Sequence, residues 1–202
     1  ISKAAFAYYV LMLVDDGALD LDKPISAYLP RPLPDYPFYA DLAGHERWRT
    51  ITARRLLTHS SGLADQRFLE PDGKFRFKLE PGSRYAYSNE GINLLQFVIE
   101  QGLGFKVGAE MDRRVFAPLG MTRSSMIWRD DFKDNLADGY EANGKWVAHD
   151  DRSSVKAAGS LDTTIGDLAK LTAAIASGKG LSAASRAELT KASMPIVSDA
   201  QF

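Results

Sequence analysis

The strongest feature of the hydrophobic pattern is an unbroken apolar run near the beginning of the chain. Residues 4–14 read Ala-Ala-Phe-Ala-Tyr-Tyr-Val-Leu-Met-Leu-Val, and the sequence Asp15-Asp16-Gly17 follows them. A helix that is apolar on every side has no face to offer to solvent, so other elements must enclose it. The run therefore predicts a buried central helix that ends at Asp-Asp-Gly.

Four further segments are predicted to be helical. They cover residues 51–58, 90–101, 107–116 and 164–178. In the second of them, Ile92, Leu95 and Ile99 fall at helical spacing and would line one face. The last has a capping-box-like start at Thr164 and a glycine stop at Gly178.

The remaining pattern contains little that is typical of strands. Five prolines between residues 24 and 37 cannot sustain a helix or a central strand, which predicts a loop that wraps the surface. Residues 140–147 have an Asn143-Gly144 centre, which favours a hairpin with a type I′ turn. The chain is therefore predicted to be rich in helices, with a minor strand content.

Composition narrows the function classes. The 202 residues are 45% hydrophobic with a formal charge of −1, which is ordinary for a globular domain and gives no electrostatic reason to expect a nucleic acid or an anionic membrane as partner. The apolar run at 4–14 is too short to span a bilayer, so no stable membrane insertion is predicted. Because there are no cysteines, the redox compartment stays undetermined, and both cytosol and periplasm remain open.

The sequence Tyr87-Ser88-Asn89 is the first candidate for chemistry. In extended or loop backbone, residues i and i+2 project to the same side. A phenol and a carboxamide could therefore reach one bound molecule, which is the geometry of a site rather than of a core. The alternative for Tyr87 is a buried aromatic ring whose hydroxyl is satisfied locally.

Lys3 is the second candidate, because it opens the apolar helix. An ammonium in that position must reach water, pair with an acid or lose its proton. A serine–lysine pair needs the two residues at i and i+3, so that both lie on one helix face. That serine is expected at the position immediately before Ile1, since Ser2 points about 100° away around the helix. Taken alone, Lys3 is better explained as a solvated terminal lysine.

Other motifs are missing or weaker. There is no G-x-S-x-G, no glycine-rich phosphate loop and no H-E-x-x-H. His45, His59 and His149 are each predicted to be structural, with His59 bonded to backbone in a hydroxyl-rich turn. Ser153 and Lys156 form the one complete S-x-x-K, but they lack an apolar helix, so they are predicted to lie in a loop that shapes the site.

An ordered set of short motifs gives the chain a family resemblance. They are Ile1-Ser2-Lys3 before the apolar helix and the stretches at 17–29, 56–63, 81–89, 118–121 and 158–161. Together they resemble the serine β-lactamase and D-Ala-D-Ala peptidase superfamily, and most closely the class C-like hydrolases and esterases. The resemblance runs from Ile1 to about residue 181. It implies an α+β fold, of which residues 1–202 would form a single partial domain: the α-rich lobe of the two-lobed β-lactamase/penicillin-binding-protein fold, with most of the antiparallel sheet outside this chain.

The resemblance also implies roles for particular residues. Lys3 would be the lysine of S-x-x-K, and Tyr87 and Asn89 would be the outer residues of Y-x-N. In that family a serine forms an acyl-enzyme, lysine and tyrosine share the proton transfers, and the asparagine holds the substrate's amide or the lysine. The third motif, K-T-G or H-x-G, is expected after Phe202, because Lys106-Val107-Gly108 opens a helix instead.

The predicted function is a serine hydrolase that acts on an amide, a β-lactam or an ester without a metal or an organic cofactor. Its partner would be a small-molecule or short-peptide substrate, and its oligomeric state stays open. Two alternatives remain: a pure carboxylesterase, and a catalytically silent relative that serves as a binding or assembly module.

Overall fold

The computed structural model describes residues 1–197 of the chain and has the α-rich character that the pattern predicts. The helices are α1 (Ser2–Asp15), α2 (Ala53–Leu57), α3 (Asn89–Gly102), α4 (Val107–Met111), α5 (Ile165–Ser177) and α6 (Ala183–Thr190). Among the described residues, the one sheet has two short antiparallel strands, β1 (Gly139–Tyr140) and β2 (Trp146–Val147). Short 3₁₀ turns occupy much of the chain between the helices.

Helix α1 is the centre of the hydrophobic core, as its apolar sequence predicts. Ala5, Phe6 and Leu11 point in different directions from the helix axis, and at most 4% of the surface of each is exposed. Ile25 and Leu33 from the proline-rich segment are also fully buried. This segment is therefore a cover over the core, and its 3₁₀ turns at Ile25–Tyr28 and Leu33–Asp35 suit the fixed backbone angle of proline.

Helices α3 and α5 begin and end where the sequence predicts. The predicted apolar face of α3 is buried at Ile92, Leu95 and Ile99. The Thr164 side chain caps α5 by accepting a hydrogen bond from the backbone N–H of Asp167. At the other end of α5, Gly178 takes the left-handed conformation with φ of 66°, which glycine adopts without the steric cost of a Cβ.

Two predicted helices differ in detail. The predicted helix at 51–58 is shorter, because Thr52 caps α2 and its backbone pairs with Pro24. The predicted helix at 107–116 continues beyond α4 as a π-helical turn, Asp112–Phe116. A π turn brings residues five apart onto one side, and here it buries Phe116 together with Met111.

The hairpin forms, but its predicted turn type was wrong. A type I′ turn needs positive φ at both central residues, whereas Gly144 has φ of 83° and Asn143 is not in that region. The backbone N–H of Gly144 donates to the carbonyl of Glu141, so Ala142 and Asn143 are the central residues. Gly144 takes the left-handed position after the turn, as in hairpins with a G1 bulge.

The sequence did not predict α6. This helix is held by Asp15 at the end of α1, whose carboxylate accepts hydrogen bonds from Ser182 N and Ser185 Oγ at 2.8 and 2.6 Å. Such a contact between residues 167 or more positions apart leaves no local signal in the sequence. Within residues 1–197, no helix combines the length and apolar character that crossing a membrane requires.

Candidate active site

The candidate site lies where α1, the beginning of α3 and the loop at 155–161 meet. Lys3, in the first turn of α1, extends its ammonium group to two acceptors. Its Nζ donates to the Asn89 Oδ1 atom and to the Ala158 carbonyl, each at 2.6 Å. Lys3 is therefore directed into a junction of three segments instead of extending freely into solvent.

Tyr87 lies against the same group. The Lys3 Nζ atom is 4.9 Å from the centroid of the Tyr87 ring, within the range of a cation–π interaction. The Tyr87 hydroxyl donates to Asn89 Oδ1 at 3.4 Å. One amide oxygen is thus the shared acceptor of an ammonium and a phenol. The structure brings together Lys3, Tyr87 and Asn89, and their catalytic roles stay a prediction.

The local backbone explains why Tyr87 and Asn89 point the same way. Ser88 is the N-cap of α3 and has extended angles, φ −147° and ψ 113°. Its side chain accepts a hydrogen bond from Gly91 N at 2.9 Å. Because Ser88 is extended, its two neighbours project to one side, and because it caps the helix, Asn89 is the first residue of α3.

Asp65 is a functional candidate that the sequence analysis missed. Its Oδ1 atom accepts hydrogen bonds from Asn89 N at 2.9 Å and from Asn89 Nδ2 at 2.7 Å. Its backbone carbonyl accepts from Glu90 N at 2.9 Å. The first backbone N–H groups of a helix lack partners within the helix, so an acceptor was required here. The sequence pointed to that need, but not to the residue that meets it.

His59 supports the site by contacting Tyr87 and Ser88. Its ring centroid lies 4.5 Å from that of Tyr87, and its Nδ1 atom accepts a hydrogen bond from Ser88 N at 3.1 Å. The predicted backbone bond of His59 is therefore confirmed. Burial, and secondarily the charge of Lys3, lower the pKa of His59 from 6.5 to about 4. His59 is accordingly neutral near pH 7, with Nδ1 free of a proton and able to accept.

The loop at 155–161 is held in place by α3 and α1. Asn93 Oδ1 accepts from Ala158 N at 3.1 Å, and Gln96 Oε1 accepts from Ala157 N at 2.7 Å. Ser2 Oγ accepts from Leu161 N at 3.1 Å. These bonds fix the Ala158 carbonyl that receives the Lys3 ammonium. Ser2 is thus a tether for the loop, and it points away from Lys3 as its helical position predicts.

The other sequence candidates lie outside this junction. Ser153 and Lys156 are exposed on the loop, as predicted for an S-x-x-K without an apolar setting. His45 is exposed. His149 lies against Trp128, with ring centroids 4.7 Å apart, and its Nε2 atom is 3.5 Å from Asp162 Oδ1. Among residues 1–197, no group of three or more potential His, Cys, Asp or Glu ligands could hold a metal ion.

A cavity of about 440 Å³ opens beside the junction. Asp65 and Tyr87 form part of its wall, and Leu63, Leu69 and Leu79 supply apolar surface. A molecule bound in this cavity would contact Tyr87 and Asp65, the two residues through which the cavity adjoins the junction. The arrangement of an ammonium, a phenol and an amide beside this cavity suits the binding and proton transfers of acyl-transfer chemistry.

Comparison with known proteins identifies the family. The Beta-lactamase family matches residues 1–198. The chain belongs to the β-lactamase family. The resemblance found in the short motifs is therefore confirmed, and so is the predicted α-rich lobe of that fold.

Individual relatives agree with this assignment. The penicillin-binding protein PbpX of Bacillus subtilis is 26% identical over 190 residues, which cover 88% of this chain and 45% of PbpX. Esterase EstB of Burkholderia gladioli is 31% identical over 147 residues, or 60% of this chain and 36% of EstB. The D-amino acid amidase of Ochrobactrum anthropi SV3 superposes with a TM-score of 0.71 at 27% identity, over 93% of this chain and 56% of the amidase.

These figures also show the extent of the match. The chain spans less than half the length of the curated relatives that it matches, from 35% to 45% of each. Two of the sequence relatives are named as esterases, and the structural neighbour is named as an amidase.

Proposed function

We propose that this β-lactamase-family chain is the helical lobe of a serine hydrolase that works through an acyl-enzyme on an amide, a β-lactam or an ester. The observation that carries the proposal is the Asn89 oxygen shared by the Lys3 ammonium and the Tyr87 hydroxyl. We also propose that residues 1–202 belong to one partial domain, with the rest of the sheet and the third motif supplied by other segments of the protein.

The nucleophile in this proposal is a serine at the position before Ile1. In a helical turn that position is three residues from Lys3, so its hydroxyl would lie within reach of the amine. The serine oxygen attacks the substrate carbonyl carbon, and its proton passes to whichever of Lys3 and Tyr87 is unprotonated in the reacting form, as a neutral amine or a phenolate. When the bond from the carbonyl carbon to the amine or alcohol breaks, that proton goes to the leaving group. Water then hydrolyses the acyl-serine and restores the hydroxyl.

Asn89 has two tasks in this scheme. Its Oδ1 atom holds the Lys3 ammonium, and the same atom accepts a hydrogen bond from the Tyr87 hydroxyl. Neither task needs a metal or an organic cofactor, since the charges that develop are handled by the lysine, the phenol and backbone N–H groups. A catalytically silent relative would have no need of an ammonium, a phenol and an amide gathered beside an open cavity.

The test is covalent labelling of the complete protein that carries this chain. A fluorophosphonate probe and a fluorescent penicillin would each be added, and the modified residue would be located by peptide mass. Label from either probe on the serine before Ile1 would support the proposal. Label on another residue, or none from either probe, would contradict it and favour the silent alternative.

The two probes also separate the substrate classes. PbpX is named as a penicillin-binding protein, whereas EstB is named as an esterase. Labelling by penicillin would favour the β-lactam and peptide branch, and labelling by the fluorophosphonate alone would favour a carboxylesterase.

Variants of the site residues then test the mechanism. Lys3→Ala and Tyr87→Phe are each expected to slow labelling by roughly 100-fold or more, the range for loss of a positioned acid or base. Tyr87→Phe should do so with little loss of stability, because the ring and its packing remain. The matched control is Lys156→Ala, which removes an exposed lysine of the loop and should leave the rate unchanged.

A further inference from the structure

We propose that Asp65 is a positioning residue that sets the orientation of the Asn89 side-chain amide, and thereby the acceptor offered to Lys3. This inference rests on the proposed function, because it concerns the same site. It extends that function to a residue whose carboxylate makes no direct hydrogen bond to Lys3 or Tyr87.

The side-chain hydrogen bonds of Asp65 are directed at one residue. Its Oδ1 atom accepts both the backbone N–H and the side-chain Nδ2–H of Asn89, at 2.9 and 2.7 Å. Its backbone carbonyl accepts from Glu90 N. A single residue therefore holds the first turn of α3 at three points, and one of these points is the amide that also contacts Lys3.

The bond from the Asn89 side-chain amide to Asp65 matters most, because an amide group can face either way. A carboxamide has an acceptor end and a donor end, which have nearly the same shape. With Nδ2 bonded to the Asp65 carboxylate, the Oδ1 end must face Lys3 and Tyr87. The reversed amide would place oxygen against the Asp65 oxygen and an NH₂ group against the Lys3 ammonium. Asp65 therefore selects the orientation in which Asn89 can accept from the ammonium.

Charge acts in the same direction as geometry. A carboxylate bonded to Nδ2 polarises the amide and increases the negative charge on Oδ1, which strengthens its bond to Lys3. The chain of contacts runs from the Asp65 carboxylate through Asn89 to Lys3, with links of 2.7 and 2.6 Å. All three side chains are partly buried, so water competes only in part for these bonds.

The rival explanation is that Asp65 only caps α3. A cap would contribute to stability, and its loss would affect the site no more than the loss of a cap on another helix. Thr164 offers the comparison, because its side chain caps α5 through Asp167 N and makes no hydrogen bond to Lys3, Tyr87 or Asn89.

The experiment is a double-mutant cycle in the complete protein, with the rate of fluorophosphonate labelling as the readout. Asp65→Ala is expected to slow labelling about 10-fold to 100-fold, since a misplacement of about 1 Å in a reacting group has effects of that size. In an Asn89→Ala background the same change should alter the rate by no more than about 2-fold, because no amide is left to orient.

Two further variants separate positioning from capping. Asp65→Asn keeps an oxygen that can accept both Asn89 hydrogen bonds, so the rate should recover to within about 5-fold of the wild type. Thr164→Ala, which removes the cap of α5, should lower the thermal midpoint while the folded protein keeps its rate within about 2-fold. In ¹⁵N spectra, Asp65→Ala should also speed solvent exchange of the Asn89 Nδ2 protons, whatever the rate of labelling.

The outcomes are distinct. If Asp65→Ala slows labelling equally in the wild-type and Asn89→Ala backgrounds, Asp65 acts only as a cap and the inference is overturned. A labelling rate that Asp65→Ala does not change, or unchanged exchange of the Asn89 Nδ2 protons, would also overturn it. If Lys3→Ala and Asn89→Ala both label at the wild-type rate, the proposed function itself fails and this inference falls with it. If those two variants are slow and Asp65→Ala is not, the proposed function stands and only the role of Asp65 is refuted.

Discussion

The buried neutral His59 predicts a specific loss of stability in mild acid. Its pKa is lowered from 6.5 to about 4, chiefly by burial and further by Lys3. The unfolded chain therefore binds a proton near pH 6.5, whereas the folded protein does not do so until about pH 4. Between these values the unfolded state binds more protons, so the free energy of unfolding must fall as the pH falls.

The magnitude follows from the shift. Each unit of pKa difference corresponds to about 1.4 kcal/mol, and a proton taken up only by the unfolded state would remove about 3 kcal/mol by pH 4. His59 is only partly buried, so water screening reduces this figure, and a loss of about 2 kcal/mol between pH 7.5 and pH 4 is expected. The contribution is fully present above pH 6.5.

His59→Asn is the matched control. His59 is the one non-glycine residue with positive φ, 53°, among residues 1–197, and asparagine tolerates that conformation better than most side chains. Its amide oxygen can also accept the Ser88 N–H bond, but it does not titrate. Urea unfolding of the complete protein would be measured from pH 7.5 to pH 4 for both the wild type and His59→Asn. The carboxylates titrate alike in the two proteins, so their contribution cancels in the comparison.

The stability advantage of the wild type over His59→Asn should shrink by about 2 kcal/mol across that range. Parallel curves for the two proteins would refute the reasoning, because they would mean that His59 takes up its proton equally in the folded and unfolded states. Titration of the His59 ring by NMR checks the same point directly, with a midpoint expected near pH 4.

Three further predictions concern the fold and are measured by urea or thermal unfolding. Gly62→Ala should lower the free energy of unfolding by more than about 3 kcal/mol, because a Cβ there would clash with the Leu79 carbonyl oxygen. At the control position Gly73 an added Cβ meets no atom within 4 Å, so Gly73→Ala should cost only about 1 kcal/mol, and equal losses for the two variants would contradict the steric argument. Thr164→Ala removes the cap of α5 and should cost about 1 kcal/mol, and a neutral change would mean that the cap is not formed in solution. Phe6→Ala should cost about 3 to 5 kcal/mol, since the ring has 0% exposure; a loss under 1 kcal/mol would contradict its place in the core.

The elements that the sequence predicted well are those whose signals are local. Helix α1 is set by its own apolar run, and α5 by Thr164 at one end and Gly178 at the other. The element that it missed depends on a distant partner. Helix α6 docks on Asp15 through Ser185, which lies 170 positions away in the sequence. No window of neighbouring residues contains that information.

The candidate site divides in the same way. The i, i+2 spacing was enough to predict that Tyr87 and Asn89 would share a side, and the structure places them around one oxygen with Lys3. Asp65 and the Ala158 carbonyl could not be predicted, because they reach the site across 24 and 155 positions of sequence. Their contribution depends on how the loops pack, which periodicity does not describe.

The position of Lys3 conflicts with the local stability of α1. A positive charge in the first turn lies at the positive end of the helix dipole, and that turn contains no acidic side chain to offset it. The offset comes from outside the helix, through the Ala158 carbonyl and through Asn89, which is itself bonded to Asp65. Local conflicts of this kind are expected at functional sites, where a residue is retained for chemistry and supported by its surroundings. A lysine that served only as surface charge would need no such support, so its elaborate set of acceptors favours the hydrolase over the silent relative.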